Sequence, residues 1–207
     1  MEGSDEDEPA GASSQSDQHM TTTSRHHFGN ARDSSDAFSI TIIESMKEDY
    51  GLFVWPCSVV LAEYVWQQRS RFLGASVVEV LDNMRRVCDL NELKCEVLGL
   101  TWGMWDAAVF NLKPKIILGA DVFYDTNAFD DLFATVTFLL QNTLGSVFIT
   151  TYHNRSGHHL IEFLMVKWGL KCVKLLDGFS FMPSDKASGL SGSIQLAEIV
   201  LNCEPVK

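Results

Sequence analysis

The apolar residues of this chain alternate between strand-like and helix-like spacing. Residues 37–42 alternate apolar and polar side chains and predict a strand, and residues 51–55 predict a second extended segment. Pro56 then suits the first turn of a helix that continues to about Gln68, because the proline ring fixes a helical φ and its missing N–H is not needed in that turn.

The same alternation continues to the end of the chain. A continuous apolar run over residues 75–80 is typical of a strand buried on both faces, and residues 81–89 are amphipathic and predict a helix. Further strands are predicted at residues 95–100, 115–120, 146–151, 171–176 and 194–201, and helices at residues 129–140 and 156–168. Gly169 is placed to end the last helix.

This order of elements predicts an α/β fold. Strands and helices alternate until a final pair of strands, which indicates a mostly parallel sheet with an antiparallel C-terminal edge. A chain of 207 residues is long enough for one domain with a substantial core. We place that domain at residues 37–207.

Residues 1–36 have a different composition from the rest of the chain. Ser, Thr, Asp, Glu, Gly and Gln dominate, and eight acidic residues stand against Arg25 and Arg32. Such a segment buries too little apolar surface to offset the entropy lost on ordering it, which predicts a disordered acidic tail. The alternative is a tail that docks on a basic partner such as a histone.

Charge and composition restrict the possible functions. The formal net charge of −11 disfavours binding to a phosphate backbone, so no direct contact with nucleic acid is expected. No apolar run approaches the roughly 18 residues of a membrane-spanning helix. Five cysteines without CxxC spacing and the absence of a secretory signal indicate a reducing compartment, so we expect a cytoplasmic or nuclear protein.

Candidate chemistry follows the predicted strands, because ligands of open α/β sheets bind beyond the carboxyl ends of the strands. Glu79 follows the first of these strands, and residues 101–103, 121–124 and 152–155 follow later ones. Acids, aromatics and an arginine suit a flat, polar, cationic ligand better than a metal ion. His158 and His159 are adjacent and lack a third ligand at metal spacing, so no metal site is predicted.

Three motifs carry a resemblance to a known family. They are Val54-Trp55-Pro56 followed by Val60-Leu61-Ala62-Glu63-Tyr64, then Leu100-Thr101-Trp102-Gly103, then Gly119-Ala120-Asp121-Val122-Phe123-Tyr124. Together they resemble the seven-β-strand methyltransferases of the protein-lysine methyltransferase-like group. The resemblance implies a Rossmann-like sheet, S-adenosylmethionine as cofactor, and methylation of lysine or arginine in a protein substrate.

The resemblance also implies roles for single residues. Cofactor-binding positions are Trp55, Glu79, Trp102 and Ala120. Asp121 and Tyr124 match a D-x-x-Y motif that lines the substrate channel, where they would align the incoming nitrogen and disperse its charge. The alternatives are that Trp55 and Trp102 are core aromatics and that Asp121 is a polar strand terminus. Tyr152, His153 and Arg155 match the family less closely and favour a structural loop.

The sequence departs from the family at the cofactor loop. A family member follows its first parallel strand with a loop of the type E-x-G-x-G-x-x-G, yet no two of the 14 glycines here have G-x-G spacing. Helix-forming sequence follows Glu79 almost at once, which predicts the loss of one strand and one helix, about 30 residues. The expectation is weak or absent cofactor binding, with a non-catalytic protein-binding isoform as the alternative.

Overall fold

The computed structural model describes residues 21–29, 37–45, 54–72, 81–94, 98–154 and 158–202, with only the backbone of residues 81–84 and 158. Strands and helices alternate through most of these ranges. In chain order they are β1 (Thr21–Phe28), β2 (Phe38–Ser45), α1 (Pro56–Gln67), α2 (Arg69–Phe72), α3 (Leu81–Leu90), α4 (Ala107–Asn111), β3 (Ile116–Ala120), α5 (Phe129–Gln141), β4 (Val147–His153), α6 (His158–Lys167), β5 (Leu170–Asp177), α7 (Ser184–Ala187) and β6 (Ile194–Leu201).

A four-stranded mixed sheet forms the centre of the described fold, with the strand order β3-β4-β6-β5. Strands β3 and β4 are parallel, whereas β6 is antiparallel to both β4 and β5. This arrangement confirms the α/β class and the antiparallel C-terminal edge. The strand predicted at residues 75–80, and the predicted loss of a strand and a helix after it, lie outside the described residues.

Helices cover both faces of the sheet. Successive residues of each strand point to opposite sides, so neighbouring residues of one strand belong to different cores. Phe148 of β4 joins a core with Phe133 of α5 and Leu164 of α6. Its neighbour Ile149 joins a second core with Leu61 of α1. The site described below lies at the carboxyl ends of β3 and β4, between these two layers.

A separate hairpin precedes the sheet. Strands β1 and β2 pair antiparallel over eight residue pairs, from Thr21 opposite Ser45 to Phe28 opposite Phe38. Phe28 is buried, and its ring centroid lies 6.1 Å from that of Trp66 in α1. The prediction of disorder was therefore wrong for residues 21–28, because pairing with β2 and packing on α1 supply the stabilisation that the local composition lacks.

The other element predictions that fall on described residues agree with the structure, with one exception. Of the predicted extended segment at residues 51–55, residues 51–53 lie outside the described ranges and Trp55 has an extended backbone. Strands β2 to β6 and helices α1, α3, α5 and α6 lie where the periodicity predicts them, within a few residues at their ends. The exception is the predicted strand at residues 95–100: residues 98–100 belong to no strand, and residues 95–97 lie outside the described ranges. A strand exists only through a paired neighbour, and no described strand pairs with the free side of β3.

Candidate functional site

Strand β3 ends in a tight turn at Asp121. Its φ of +54° lies in the left-handed region, which aspartate tolerates better than most residues because its short side chain can bond locally. The Asp121 N–H donates to the Thr151 carbonyl of β4 at 2.7 Å. The turn therefore holds the half-buried Asp121 beside the end of the neighbouring parallel strand.

The N-terminus of α1 reaches the same point. Pro56 occupies the first turn of the helix, and the Trp55 carbonyl accepts from the Ser58 N–H at 2.9 Å. The Thr151 hydroxyl donates to the Cys57 carbonyl at 2.8 Å, which fixes the first turn to β4. The Trp55 side chain is 36% exposed, whereas Cys57 is fully buried.

Three residues with metal-binding side chains converge there. Ligand atoms of Cys57, Asp121 and His153 all lie within 4.8 Å of one another. The sequence predicts no metal site and misses this cluster, because each residue comes from a different element. The strand-end rule places Asp121 and His153 at one edge of the sheet, but no local signal adds Cys57.

In the D-x-x-Y segment, residues 121–124, one aromatic side chain faces the core and the next faces solvent. Phe123 is buried and stacks on Phe133 of α5, with the ring centroids 5.5 Å apart. Tyr124 is 63% exposed, so the buried neighbour anchors the segment while the Tyr124 phenol faces solvent. The Asp125 side chain accepts from the Asn127 N–H at 3.0 Å and starts a 3-10 turn.

Tyr152 belongs to the core. It is buried and makes an edge contact with Phe123 at 5.4 Å between centroids. Burial raises the pKa of its phenol, which keeps the group neutral. Tyr152 therefore has a structural role, but the prediction of a loop was wrong for Tyr152 and His153, which are the last two residues of β4. Arg155 lies outside the described residues.

Trp102 packs on the core that includes α5, whereas Trp55 is the N-cap residue of α1. The half-buried Trp102 ring contacts the core that includes Phe133, and the next residue, Gly103, donates its N–H to the Thr135 hydroxyl at 2.9 Å. A cavity of about 30 Å³ lies beside Trp102. That volume equals roughly one water molecule and is far smaller than a nucleoside.

Two further cofactor positions were predicted, Ala120 and Glu79. Ala120 packs in the core beneath α1, together with Leu61 and Ile149. Glu79 lies outside the described residues. The structure therefore places Asp121 beside Cys57 in the first turn of α1, two positions after Trp55. Trp102 instead contacts the core that includes α5.

The last two residues of the first motif hold the fold together. Glu63 is buried and accepts from Lys186 of α7 at 2.6 Å. Tyr64 donates its hydroxyl proton to Glu198 of β6. Glu63 therefore attaches α1 to α7, and Tyr64 attaches α1 to the sheet.

Comparison with known proteins identifies the family. The chain is 36% identical over 167 residues to histone-arginine methyltransferase METTL23 of Xenopus laevis, covering 66% of this chain and 71% of the relative. The Mus musculus protein of the same name is 34% identical over 180 residues (72% and 71% covered), and the Homo sapiens protein is 32% identical over 186 residues (73% and 97%). No family model matches the chain. The chain belongs to the methyltransferase-like protein 23 family.

Membership of the METTL23 family confirms the resemblance that the order and spacing of the three motifs predict. The family consists of S-adenosylmethionine-dependent methyltransferases. A solved structure of Methanocaldococcus jannaschii Trm5 in complex with adenosine shares 10% identity, with a TM-score of 0.42, and covers 81% of this chain and 53% of that one. Within the described ranges, every helix is too short or too polar to cross a bilayer.

The residues present fit the family cofactor poorly. Helix α2 ends at Phe72 and α3 begins at Leu81, so only the eight residues 73–80 separate them. A glycine-rich loop, a helix and a further strand with its ribose-binding acid need about 30 residues.

Proposed function

We propose that this chain acts in protein-arginine methylation and that it binds S-adenosylmethionine more weakly than its relatives. The observation that supports the substrate is the 32–36% identity to three histone-arginine methyltransferases, combined with an aspartate and an exposed tyrosine at the end of β3. A protein substrate in the cytoplasm or nucleus is part of the proposal.

The chemistry of the strand end suits an arginine side chain. A guanidinium group is planar and cationic, and a carboxylate such as Asp121 bonds it through charge-assisted hydrogen bonds. Tyr124 offers an exposed aromatic face for the same cation. The net charge of −11 further favours approach by a basic protein such as a histone.

Weak cofactor binding is the expectation from the short connection before α3. Backbone amides of a glycine-rich loop make close contacts with the cofactor that no side chain replaces. Without that loop, the predicted cofactor positions among the described residues are Trp55, Trp102 and Ala120. We therefore expect this chain to bind its protein substrate but to transfer methyl groups to it slowly.

Two measurements on the full chain test the proposal. Isothermal titration with S-adenosylmethionine should show no binding at micromolar concentrations, and titration with an arginine-rich histone peptide should show binding that Asp121→Asn weakens. A matched variant carries a family glycine loop, helix and strand inserted between Glu79 and Leu81. Radiolabelled methyl transfer to histones should rise strongly in the inserted variant.

The results separate the proposal from its alternatives. Micromolar binding of S-adenosylmethionine by the chain as it stands would show that the donor site is intact. Methylation of lysine, identified by mass spectrometry of the labelled peptide, would replace arginine as the target. Peptide binding without methyl transfer in either protein would favour a non-catalytic, substrate-competing role, which the short connection before α3 also supports.

A further inference from the structure

Three different ligand atoms meet where α1, β3 and β4 come together. The thiol sulfur of Cys57, a carboxylate oxygen of Asp121 and a ring nitrogen of His153 lie within 4.8 Å of one another. In a tetrahedral zinc site, bonds of about 2.0–2.3 Å place neighbouring ligand atoms roughly 3.3–3.8 Å apart. Shifts of about 1 Å or less therefore close the three side chains around an ion.

The backbone holds two of these residues to the same strand. The Thr151 hydroxyl donates to the Cys57 carbonyl at 2.8 Å, and the Thr151 carbonyl accepts from the Asp121 N–H at 2.7 Å. Thr151 is fully buried and lies two residues before His153 in β4. The cluster is thus built on a core strand, which is the kind of support that fixes ligand geometry.

The position of His153 is fixed by the turn before β6. Gly192 has a φ of +99°, and a β-carbon there would lie 3.0 Å from both Cε1 and Nδ1 of the His153 ring. The Asn154 N–H donates to the Ser193 carbonyl at 2.7 Å and holds the turn against the strand. The imidazole therefore occupies space that only a glycine at position 192 leaves open.

The electrostatic setting suits a divalent ion. Cys57 is fully buried in the first turn of α1, and metal binding releases the thiol proton. A thiolate and a carboxylate together balance the charge of a divalent cation, which lowers the cost of holding it in a partly buried site. Asp121 and His153 are half-buried, so the ion has access from solvent.

We infer that Cys57, Asp121 and His153 form a binding site for a divalent transition-metal ion of the zinc type, with three protein ligands and an open fourth position. Thiolate and imidazole ligands favour zinc and similar ions over magnesium and calcium. An ion bound to Asp121 occupies the carboxylate that we propose for substrate arginine. The site itself rests on the cluster geometry and does not depend on the proposed function.

Titration with Co²⁺, a spectroscopic substitute for Zn²⁺, tests the site in the full chain without an added histidine tag and under reducing conditions. One equivalent should produce a thiolate-to-cobalt charge-transfer band together with the intense visible absorption of tetrahedral cobalt. Added Zn²⁺ should remove both signals by displacement. The charge-transfer band requires a thiolate, so sites made only of histidines do not produce it.

Variants of the three ligands and of one supporting residue assign the signal. Cys57→Ala should abolish the charge-transfer band, and His153→Gln and Asp121→Asn should each weaken binding by about a hundredfold or more. Gly192→Ala displaces the His153 ring and should weaken binding by roughly 10–100-fold, as loss of supporting contacts does elsewhere. Circular dichroism without metal verifies that each variant is folded.

Two exposed residues provide matched controls. Cys172→Ala and His159→Gln remove the same side-chain types away from the cluster and should leave the spectrum unchanged. The inference is overturned if no charge-transfer band develops, if the band survives in Cys57→Ala, or if the control variants lose it equally. Should Cys57→Ala not fold, His153→Gln decides the outcome, since unchanged cobalt affinity in that variant also overturns the inference.

Discussion

Arg71 of α2 and Glu198 of β6 form two parallel hydrogen bonds, Nη1 to Oε1 at 2.9 Å and Nη2 to Oε2 at 2.7 Å, although 127 residues separate them in the chain. Tyr64 donates to the same carboxylate, and Lys174 Nζ lies 3.5 Å from it. Hydrogen bonds from Arg71 lower the pKa of Glu198 to about 2, despite its burial. This network attaches α1 and α2 to the strand at the centre of the antiparallel half of the sheet.

The Glu198 network predicts a loss of stability in acid. The folded pKa of about 2 lies below the ordinary 4.5, so the contribution is complete above pH 4.5 and disappears as the pH falls towards 2. We expect about 2–3 kcal/mol at pH 7, reduced by solvent around the partly exposed Arg71. Glu198→Gln should remove this amount, and urea unfolding at pH 7, 4 and 3 measures it.

A control separates this network from general acid effects. Glu162→Gln, an exposed position in α6, should leave the pH dependence as in the parent chain. The stability difference between the parent and Glu198→Gln should shrink from pH 7 to pH 3. A difference that stays constant over this range would contradict the assignment of the acid sensitivity to Glu198.

Two neighbouring threonines of β4 should respond oppositely to removal of their hydroxyls. Both are fully buried, but the Thr151 hydroxyl donates to Cys57 at 2.8 Å, whereas the Thr150 hydroxyl has no hydrogen-bond partner among the described residues. Thr151→Val removes the hydrogen bond to the Cys57 carbonyl and should cost about 0.5–1.5 kcal/mol. Thr150→Val should be neutral or stabilising, because it removes a buried polar atom that lacks a bond.

Denaturant unfolding of the two single variants measures this contrast, and each serves as the control of the other. They remove the same atom from adjacent positions on opposite faces of one strand. Equal losses of stability would mean that the Thr151–Cys57 hydrogen bond contributes nothing particular to the attachment of α1.

The stability of the β1–β2 hairpin should depend on the buried ring of Phe28. Phe28 is 8% exposed and forms a three-ring cluster with Phe38 and Trp66, with Lys186 Nζ 4.4 Å from its ring centre. Phe28→Ala should cost roughly 3–4 kcal/mol of local stability, because the hairpin has few other buried contacts with α1. Hydrogen exchange of the amides in β1 and β2 should accelerate while exchange in β4 stays slow.

The matched variant for this experiment is Phe163→Ala, since Phe163 in α6 is 65% exposed. It should change exchange in the hairpin little or not at all. Unchanged protection of β1 in Phe28→Ala would mean that the hairpin is held without this ring, by strand pairing, by the Thr41–Asn91 hydrogen bonds and by the Phe38–Trp66 contact.

Two substitutions of Asp121 should separate its charge from its backbone conformation. Asparagine tolerates the left-handed φ of +54°, so Asp121→Asn should keep its stability within about 0.5 kcal/mol, whereas Asp121→Ala should lose about 1 kcal/mol more. Both should weaken arginine-peptide binding at least roughly tenfold, since both remove the carboxylate.

Thermal unfolding and peptide titration of the same two proteins test the separation. Glycine also tolerates this φ, so Asp121→Gly provides a third variant without a charge. Peptide binding retained in Asp121→Asn would exclude a salt bridge between this carboxylate and the substrate.

Local patterns predict the elements whose stability is largely local. Pro56 and the apolar face of α1 place that helix within one residue at each end, and α5 follows its stripe of apolar residues in the same way. Strand β1 was missed because its eight partners lie in β2 and its buried Phe28 needs Trp66. Its composition alone contains no signal for those contacts.

For the candidate site, too, local features were predictable from the sequence and long-range contacts were not. The sequence by itself determined the α/β class, the family motifs and the position of Asp121 at a strand end, because periodicity and motif spacing are local properties. Only the tertiary structure decided that Cys57 and His153 meet Asp121, and that Glu63 and Tyr64 attach α1 to its surroundings. Those contacts join residues 32 to 134 positions apart, and such pairings are set by how the layers pack rather than by the sequence around each residue.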